Sequence, residues 1–388
     1  MLSKCNVSRR QFLRLAGLAA ITNWAQPVLG GDSMKNSVKM PLIKLSGTPG
    51  DVGRGWGKSM AGNIHQGLNR ILSVVHDVHG TSRTEALSFA MKLWPAARQF
   101  DPELEPFVRG LATGAGMGLE EAWATRCGLE LLFVNSGLAA MCTTLAGTGQ
   151  ATADGQAIMG QNIDWFTDTP IALVHITRSD GLRQLVLPLL GLGEYTLNSA
   201  GLGCCLNGVS AMQPHLEPKI SMGAYLPRAM RQTDMTKARR LLEQASRGIV
   251  AVTLADAKGG LLCIESTLDD YEVLQPRNGL LTHANNYRTP RFQAVDGCRM
   301  IFPDSQARTA RMDELTAGLA GKLTPGTLGR ALTDHQGYPN AICRHPDPAV
   351  PPGLQAQSLG SFIMLPSQGA MLVAAGNPCT HEYVRYEV

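Results

Sequence analysis

The chain has 388 residues, 44% of them hydrophobic and 17% charged, with a formal net charge of +4. That length can bury a sizeable core in one large domain or two ordinary ones, and the composition reads as globular. The charge is small and dispersed beyond the first residues, which leaves no footprint for a nucleic-acid partner.

The chain opens with Ser8-Arg9-Arg10-Gln11-Phe12-Leu13, an apolar run from Leu15 to Trp24, and Val28-Leu29-Gly30. Arginine pair, Phe and apolar run stand in the order of a twin-arginine signal peptide. The run is too short and interrupted to span a membrane. Residues 1–30 are therefore expected to be a leader read by the twin-arginine translocase, with the bacterial periplasm as destination. Nine cysteines would suggest disulfides in that compartment. Export of folded protein predicts instead that most of Cys127, Cys204, Cys205, Cys263, Cys298, Cys343 and Cys379 are buried thiols. Cys204 and Cys205, adjacent on a strand, should point to opposite faces. His76-x-x-His79 has helical spacing but no His-Glu-x-x-His or paired Cys-x-x-Cys beside it. It reads as a surface helix, and no metal or cofactor is expected.

After the leader, Pro41 to Gly47 reads as a strand. The glycine-rich stretch Gly47 to Gly57 follows, then an amphipathic helix through about Asp77. Gly57-Lys58-Ser59 lacks the glycine five positions earlier that a phosphate loop needs. Residues 83–137 read as helical cover, with starts at Asp101-Pro102-Glu103 and Gly118-Leu-Glu-Glu. From Ala140 to Trp165 the pattern is a hairpin turned at Asp154-Gly155. Its open end gathers a thiol, two hydroxyls, an amide and a carboxylate, with Cys142, Thr143, Thr144 and Asp164 among them. Beyond it, strands are expected at 171–176 and 184–188, along 198–208 as one piece, and on both sides of Lys258-Gly259-Gly260. Helices are expected near 235–246, 305–319 and 325–333, and a last strand pair at 358–365 and 370–375. Helices, antiparallel strands, helices and strands again predict a layered α+β sandwich with no clean domain boundary after the leader.

Several segments also follow one another in a recognisable order. Cys142-Thr143-Thr144 precedes an Asp-Gly turn and Gly160-Gln161-Asn162-Ile163-Asp164-Trp165. Asn198-x-x-Gly-Leu-x-x-x-x-Asn207 comes next, then Thr282-His283-Ala284-Asn285, then Asp334-His335-x-Gly-x-Pro-x-x-Ile-Cys343-Arg344. This order resembles the isopenicillin N acyltransferase-like (acyl-CoA:6-aminopenicillanate acyltransferase) family of N-terminal-nucleophile hydrolases. The resemblance implies a four-layer αββα sandwich and self-cleavage between Met141 and Cys142. Residues 31–141 would form a helical N-terminal part, and residues 142–388 a part that starts at the nucleophile. An N-terminal cysteine supplies both a thiolate and an α-amine base of pKa about 7.7–8.0. Asp164, Thr143 and Thr144 are candidates to align these groups, the threonines also to line the substrate site with Trp165. Asn285 is the candidate oxyanion donor. Arg344 is assigned by the resemblance to a polar end of the substrate, a small N-acyl amide. Met141 stands where a glycine is frequent in the family, which points to slow cutting or to a chain that has drifted from self-processing. Two alternatives stand beside this reading. One is an uncut peptidase pairing Cys142 with His283; the other is a non-catalytic periplasmic ligand-binding protein.

Overall fold

The computed structural model describes residues 35–136, 141–189, 193–211, 220–245, 249–298 and 303–388; the expected leader lies outside them. Two sheets form the centre. The larger has the order β1-β4-β5-β6-β7-β8-β9-β10. It comprises β1 (Leu42–Gly47), β4 (Leu173–Arg178), β5 (Arg183–Leu189), β6 (Gly193–Asn198), β7 (Gly203–Gly208), β8 (Val250–Ala255), β9 (Leu261–Ser266) and β10 (Tyr271–Leu274). The smaller has the order β11-β2-β3-β12-β13-β14. Its strands are β11 (Leu280–His283), β2 (Met141–Gly147), β3 (Ile158–Phe166), β12 (Ala356–Leu365), β13 (Ala370–Ala374) and β14 (Val384–Glu387). All neighbours are antiparallel except β1 and β4, which run parallel.

The sheets face each other through both apolar and polar contacts. Gln161 on β3 grips β7 twice: its Nε2 donates to the Leu206 carbonyl, and its Oε1 accepts from Leu206 N at 3.0 Å. Cys205 meets Met159 from the opposite sheet, while Cys204 turns back toward the Thr196 and Glu194 backbone of β6. The adjacent cysteines thus part as the strand pleat requires.

Helices cover both outer faces, giving the four αββα layers. On the eight-stranded face lie α1 (Pro49–Ser59), α2 (Ala61–His79), α3 (Arg83–Phe100), α4 (Leu104–Ala115), α5 (Leu119–Arg126), α6 (Gly128–Ser136), α7 (Met222–Met230) and α8 (Met235–Ala245). On the six-stranded face lie α9 (Asp304–Ala317) and α10 (Pro325–Leu332). A second apolar cluster seals them there, with Leu145, Met312, Leu328, Leu332 and Ile363. Among the described residues no helix is long and apolar enough to cross a membrane.

Three expectations need correction. The glycine-rich stretch is itself helix α1, capped by Thr48, whose hydroxyl and Asp51 form a capping box. Its glycines serve close packing. A Cβ on Gly53 would lie 2.1 Å from the Phe107 carbonyl, and one on Gly110 of α4 would lie 2.2 Å from that of Gly50. Residues 198–208 are not one strand: Asn198 Oδ1 accepts from Ala200 N and Leu202 N, Gly201 takes φ +79°, and the chain reverses between β6 and β7. The hairpin of β2 and β3 exists, but Asp154-Gly155 is only part of a longer loop. Gly155 takes φ +74° while Asp154, which accepts from Gln156 N, does not share a positive φ, so the turn is not type I′.

Candidate active site

The β2/β3 register sets Met141 opposite Asp164 and Cys142 opposite Ile163. Cys142 is fully buried at the sheet interface, its Sγ 3.6 Å from the Tyr195 hydroxyl on β6. Burial pushes the thiol up to about 11, and the neighbouring Asp164 carboxylate adds to the rise. So placed, this sulfur rests as a thiol; a cysteine reacts as its thiolate.

The Cys142 backbone is held from both sides. Its N–H donates to Asn285 Oδ1 at 3.0 Å. Its carbonyl accepts from Arg308 Nη1 at 2.9 Å and from Asn207 Nδ2 at 3.1 Å. Arg308, 2% exposed, connects these groups: it also donates to Asn285 Oδ1 at 2.8 Å, to the Thr143 hydroxyl at 2.7 Å and, through Nε, to Asp304 at 2.8 Å. Asn285 Nδ2 donates to the Gly208 carbonyl at 3.0 Å, which fixes the amide's orientation. Asn285 therefore grips the nitrogen of Cys142.

The expected threonines divide by strand alternation. Thr143 faces α9 and Arg308, whereas Thr144 faces β7, donating to Asn207 Oδ1 at 2.8 Å. Both are fully buried. Asp164, also fully buried, accepts from the Ser358 hydroxyl at 2.7 Å, and its other oxygen lies 3.8 Å from Arg344 Nε. Burial lifts this carboxyl to about 6 against the pull of Arg344, Arg308 and Ser358. Arg344 donates to Asp304 and to Asn340. Burial pushes Asp304 up, but the two guanidiniums of Arg344 and Arg308 outweigh it and hold it below the usual carboxylate range. Trp165 is buried with its ring 5.2 Å from that of Phe166.

Cys142, Thr143, Asp164, Asn285 and Arg344 thus come together, with Thr144 one step behind. His283 does not join them. Its Nε2 meets Glu265 at 2.7 Å and its Nδ1 meets the Ala284 carbonyl at 2.6 Å, so neither ring nitrogen serves Cys142. Backbone amides of Arg288 and Thr289 also fix that glutamate. The Cys142–His283 dyad weighed from sequence is corrected on that ground: strand β11 turns this imidazole toward β9.

Sequence reasoning missed Arg308, Asp304, Tyr195 and Ser358, and gave Asn207 no role. One signal was available for the first. On α9 the inward residues are Ser305, Arg308, Thr309, Met312 and Thr316, a mostly polar stripe where a covering helix normally turns apolar residues inward. A cleft of about 50 Å³ sits outside the eight-stranded sheet near Trp56, Phe107 and Arg231, and Cys142 does not line it.

A four-layer αββα sandwich with a buried cysteine at the start of an inner strand is the arrangement of the N-terminal-nucleophile hydrolase fold class. A family model for acyl-coenzyme A:6-aminopenicillanic acid acyl-transferase matches residues 151–351. The chain belongs to that family. The match includes Asp164, Asn285, Arg308 and Arg344 and begins after Cys142. Among curated proteins, none matches. Two similar solved structures are of single-residue variants of the conjugated bile acid hydrolase from Clostridium perfringens. They are 14% and 15% identical to this chain, each with a TM-score of 0.42. Each alignment covers 64% of this chain and 97% of that one.

Proposed function

We propose that the protein is an autoproteolytic amidohydrolase or acyltransferase that cuts itself between Met141 and Cys142 and then acts on small N-acyl amides through an acyl-cysteine thioester. The observation that carries this reading is the grip on Cys142: its nitrogen on Asn285 and its carbonyl on Arg308 and Asn207. A strand residue in a sheet needs only its ladder partners, and here buried polar side chains from β7, α9 and the β11 exit converge on the two peptide groups that flank one residue. In the first step Sγ bonds to the Met141 carbonyl carbon, the peptide C–N bond breaks, and the thiol proton ends on the departing Cys142 nitrogen. Water then attacks the thioester, releasing the Met141 carboxyl group and the thiol. The new α-amine lies beside Asn285 and takes the thiol proton in each later turnover. The thiolate then bonds to the substrate's carbonyl carbon and the substrate amine leaves with a proton. Water or a second amine accepts the acyl group. Asp164 and Arg308 orient the amine, and Asn285 steadies it through Oδ1, its Nδ2 being held on the Gly208 carbonyl rather than free for the oxyanion role expected of it.

Trp165 and Phe166 favour an apolar acyl group. Export by the twin-arginine route belongs to the same proposal; replacing Arg9 and Arg10 by lysine should retain the folded protein in the cytoplasm. The test of the chemistry is an intact-mass measurement on protein mixed with a panel of N-acyl amides and quenched in acid. An acyl adduct on the fragment that starts at Cys142 is expected. Turnover without any adduct on that cysteine would overturn the thioester route.

A further inference from the structure

Beside Arg344 lies a second group of side chains that the chemistry above does not use. His335, Cys343, His345 and Cys379 each offer one ligand atom, and these atoms all lie within 4.8 Å of one another. His335 Nε2 and His345 Nε2 are 3.1 Å apart. Cys343 Sγ and Cys379 Sγ stand 3.7 and 3.6 Å from His345 Nε2. A tetrahedral zinc with Zn–N of about 2.05 Å and Zn–S of about 2.3 Å sets its ligand nitrogens roughly 3.3 Å apart and each nitrogen roughly 3.6 Å from each sulfur. The observed spacings are those of such a shell. Two imidazole Nε2 atoms turned toward each other, with both thiols free of a disulfide, share a common focus.

From these spacings we infer that His335, Cys343, His345 and Cys379 bind one zinc ion in a closed Cys2His2 site. Two nitrogens and two sulfurs in a tetrahedron are the donor set of zinc. Four protein ligands leave no open position, so the site is structural rather than catalytic. Binding converts both thiols to thiolates and releases two protons to solvent. The surroundings fit this use. Asn377 Nδ2 approaches Cys343 Sγ at 3.6 Å and donates to the Arg344 carbonyl at 2.7 Å. The ligand loops are pinned by Cys343 N on the Asp334 carbonyl and His345 N on that of Pro339. Asn162 Nδ2 holds the Leu332 and Ile342 carbonyls at 2.8 Å each, closing the base of the first loop. His335, His345 and Cys379 are partly exposed, so ions and chelators can reach the site. Arg344 lies between two of the ligands, and the metal fastens its loop to the turn between β13 and β14. The site rests on its own geometry and stands whether or not Cys142 is the nucleophile.

The test uses the full chain, purified under reducing conditions, given one equivalent of zinc and dialysed before elemental analysis. About one zinc per chain is expected, falling to under about a tenth in Cys379→Ser and in His345→Ala. Cobalt added to the wild-type protein should give the visible bands of a tetrahedral thiolate centre, a readout that does not depend on the variants folding. Folded, reduced wild-type protein that takes up neither zinc nor cobalt would overturn the inference. So would zinc retained in both variants, or a Cys343–Cys379 disulfide in the native protein whose reduction restores no uptake.

Discussion

Helices α1 and α9 each cover one face of the sandwich, yet they are built on opposite rules. Helix α1 meets α4 backbone to backbone, with Gly53, Gly57, Gly110 and Gly114 letting the two main chains touch at the crossing. Helix α9 turns Ser305, Arg308 and Thr309 inward and spends its buried face on hydrogen bonds to Cys142, Thr143, Asn285 and Asn286. The first arrangement maximises contact and has no chemistry. The second gives up apolar burial to hold polar groups in a dry interior, where each must be satisfied. Layer position alone therefore says little about function; the chemistry of the inward stripe does.

The largest effect expected from breaking this contrast is at Arg308. Arg308→Met strips a charge from Asp304 and donors from Cys142, Thr143 and Asn285, and should cost about 3–5 kcal/mol of stability together with measurable turnover. Arg308→Lys keeps the charge but not the fork, so it should fold and still turn over far more slowly. Chemical denaturation and rate measurements on the two variants separate these effects, and equal activity in Arg308→Lys would remove the residue from the site. On the other helix, Gly53→Ala forces a Cβ onto the Phe107 carbonyl and should cost about 3 kcal/mol. Its rate per folded molecule should be unchanged, and a changed rate would mean that the two faces are coupled.

Asp164 sharpens the contrast through pH. Its folded carboxyl is raised to about 6, so between its unfolded and folded values the native state binds the extra proton and stability falls as pH rises. In a Cys142→Ala background, Asp164→Asn should be the more stable protein above pH 6, by about 2–3 kcal/mol, with the gap closing as the pH falls toward about 4. Denaturation curves at several pH values measure this, and a gap that stays constant with pH would contradict the burial of a charged carboxylate. The smallest effect belongs to the exposed cap of α1: Thr48→Ala should cost about 1 kcal/mol in a urea melt and leave the rate alone.

Much of this was legible in the sequence, for identifiable reasons. The β2/β3 pairing and the clustering of Cys142 with Asp164 followed from a local turn signal, even though the chain there makes a longer loop than that signal implies. Asn285 and Arg344 came only through resemblance, since nothing local brings two residues so far along the chain beside Cys142. Arg308 was unreadable as a site residue until the direction of α9 was known, although its inward polar stripe was present. The glycines of α1 were misread because glycine marks both loops and close helix crossings, and only the partner helix distinguishes them. The His335, Cys343, His345 and Cys379 group matches no compact metal motif. Its last ligand arrives from the turn after β13, so linear spacing hides it.

The central claim is that one atom, the sulfur of Cys142, both cuts the chain and turns over substrate. It is tested most directly by a denaturing gel with N-terminal sequencing on the wild-type protein and on Cys142→Ala. The account predicts two wild-type polypeptides, one beginning at Cys142, and a single folded, inactive chain in the alanine variant. A wild-type protein that hydrolyses amides as one chain, with no N-terminus at Cys142, would contradict it.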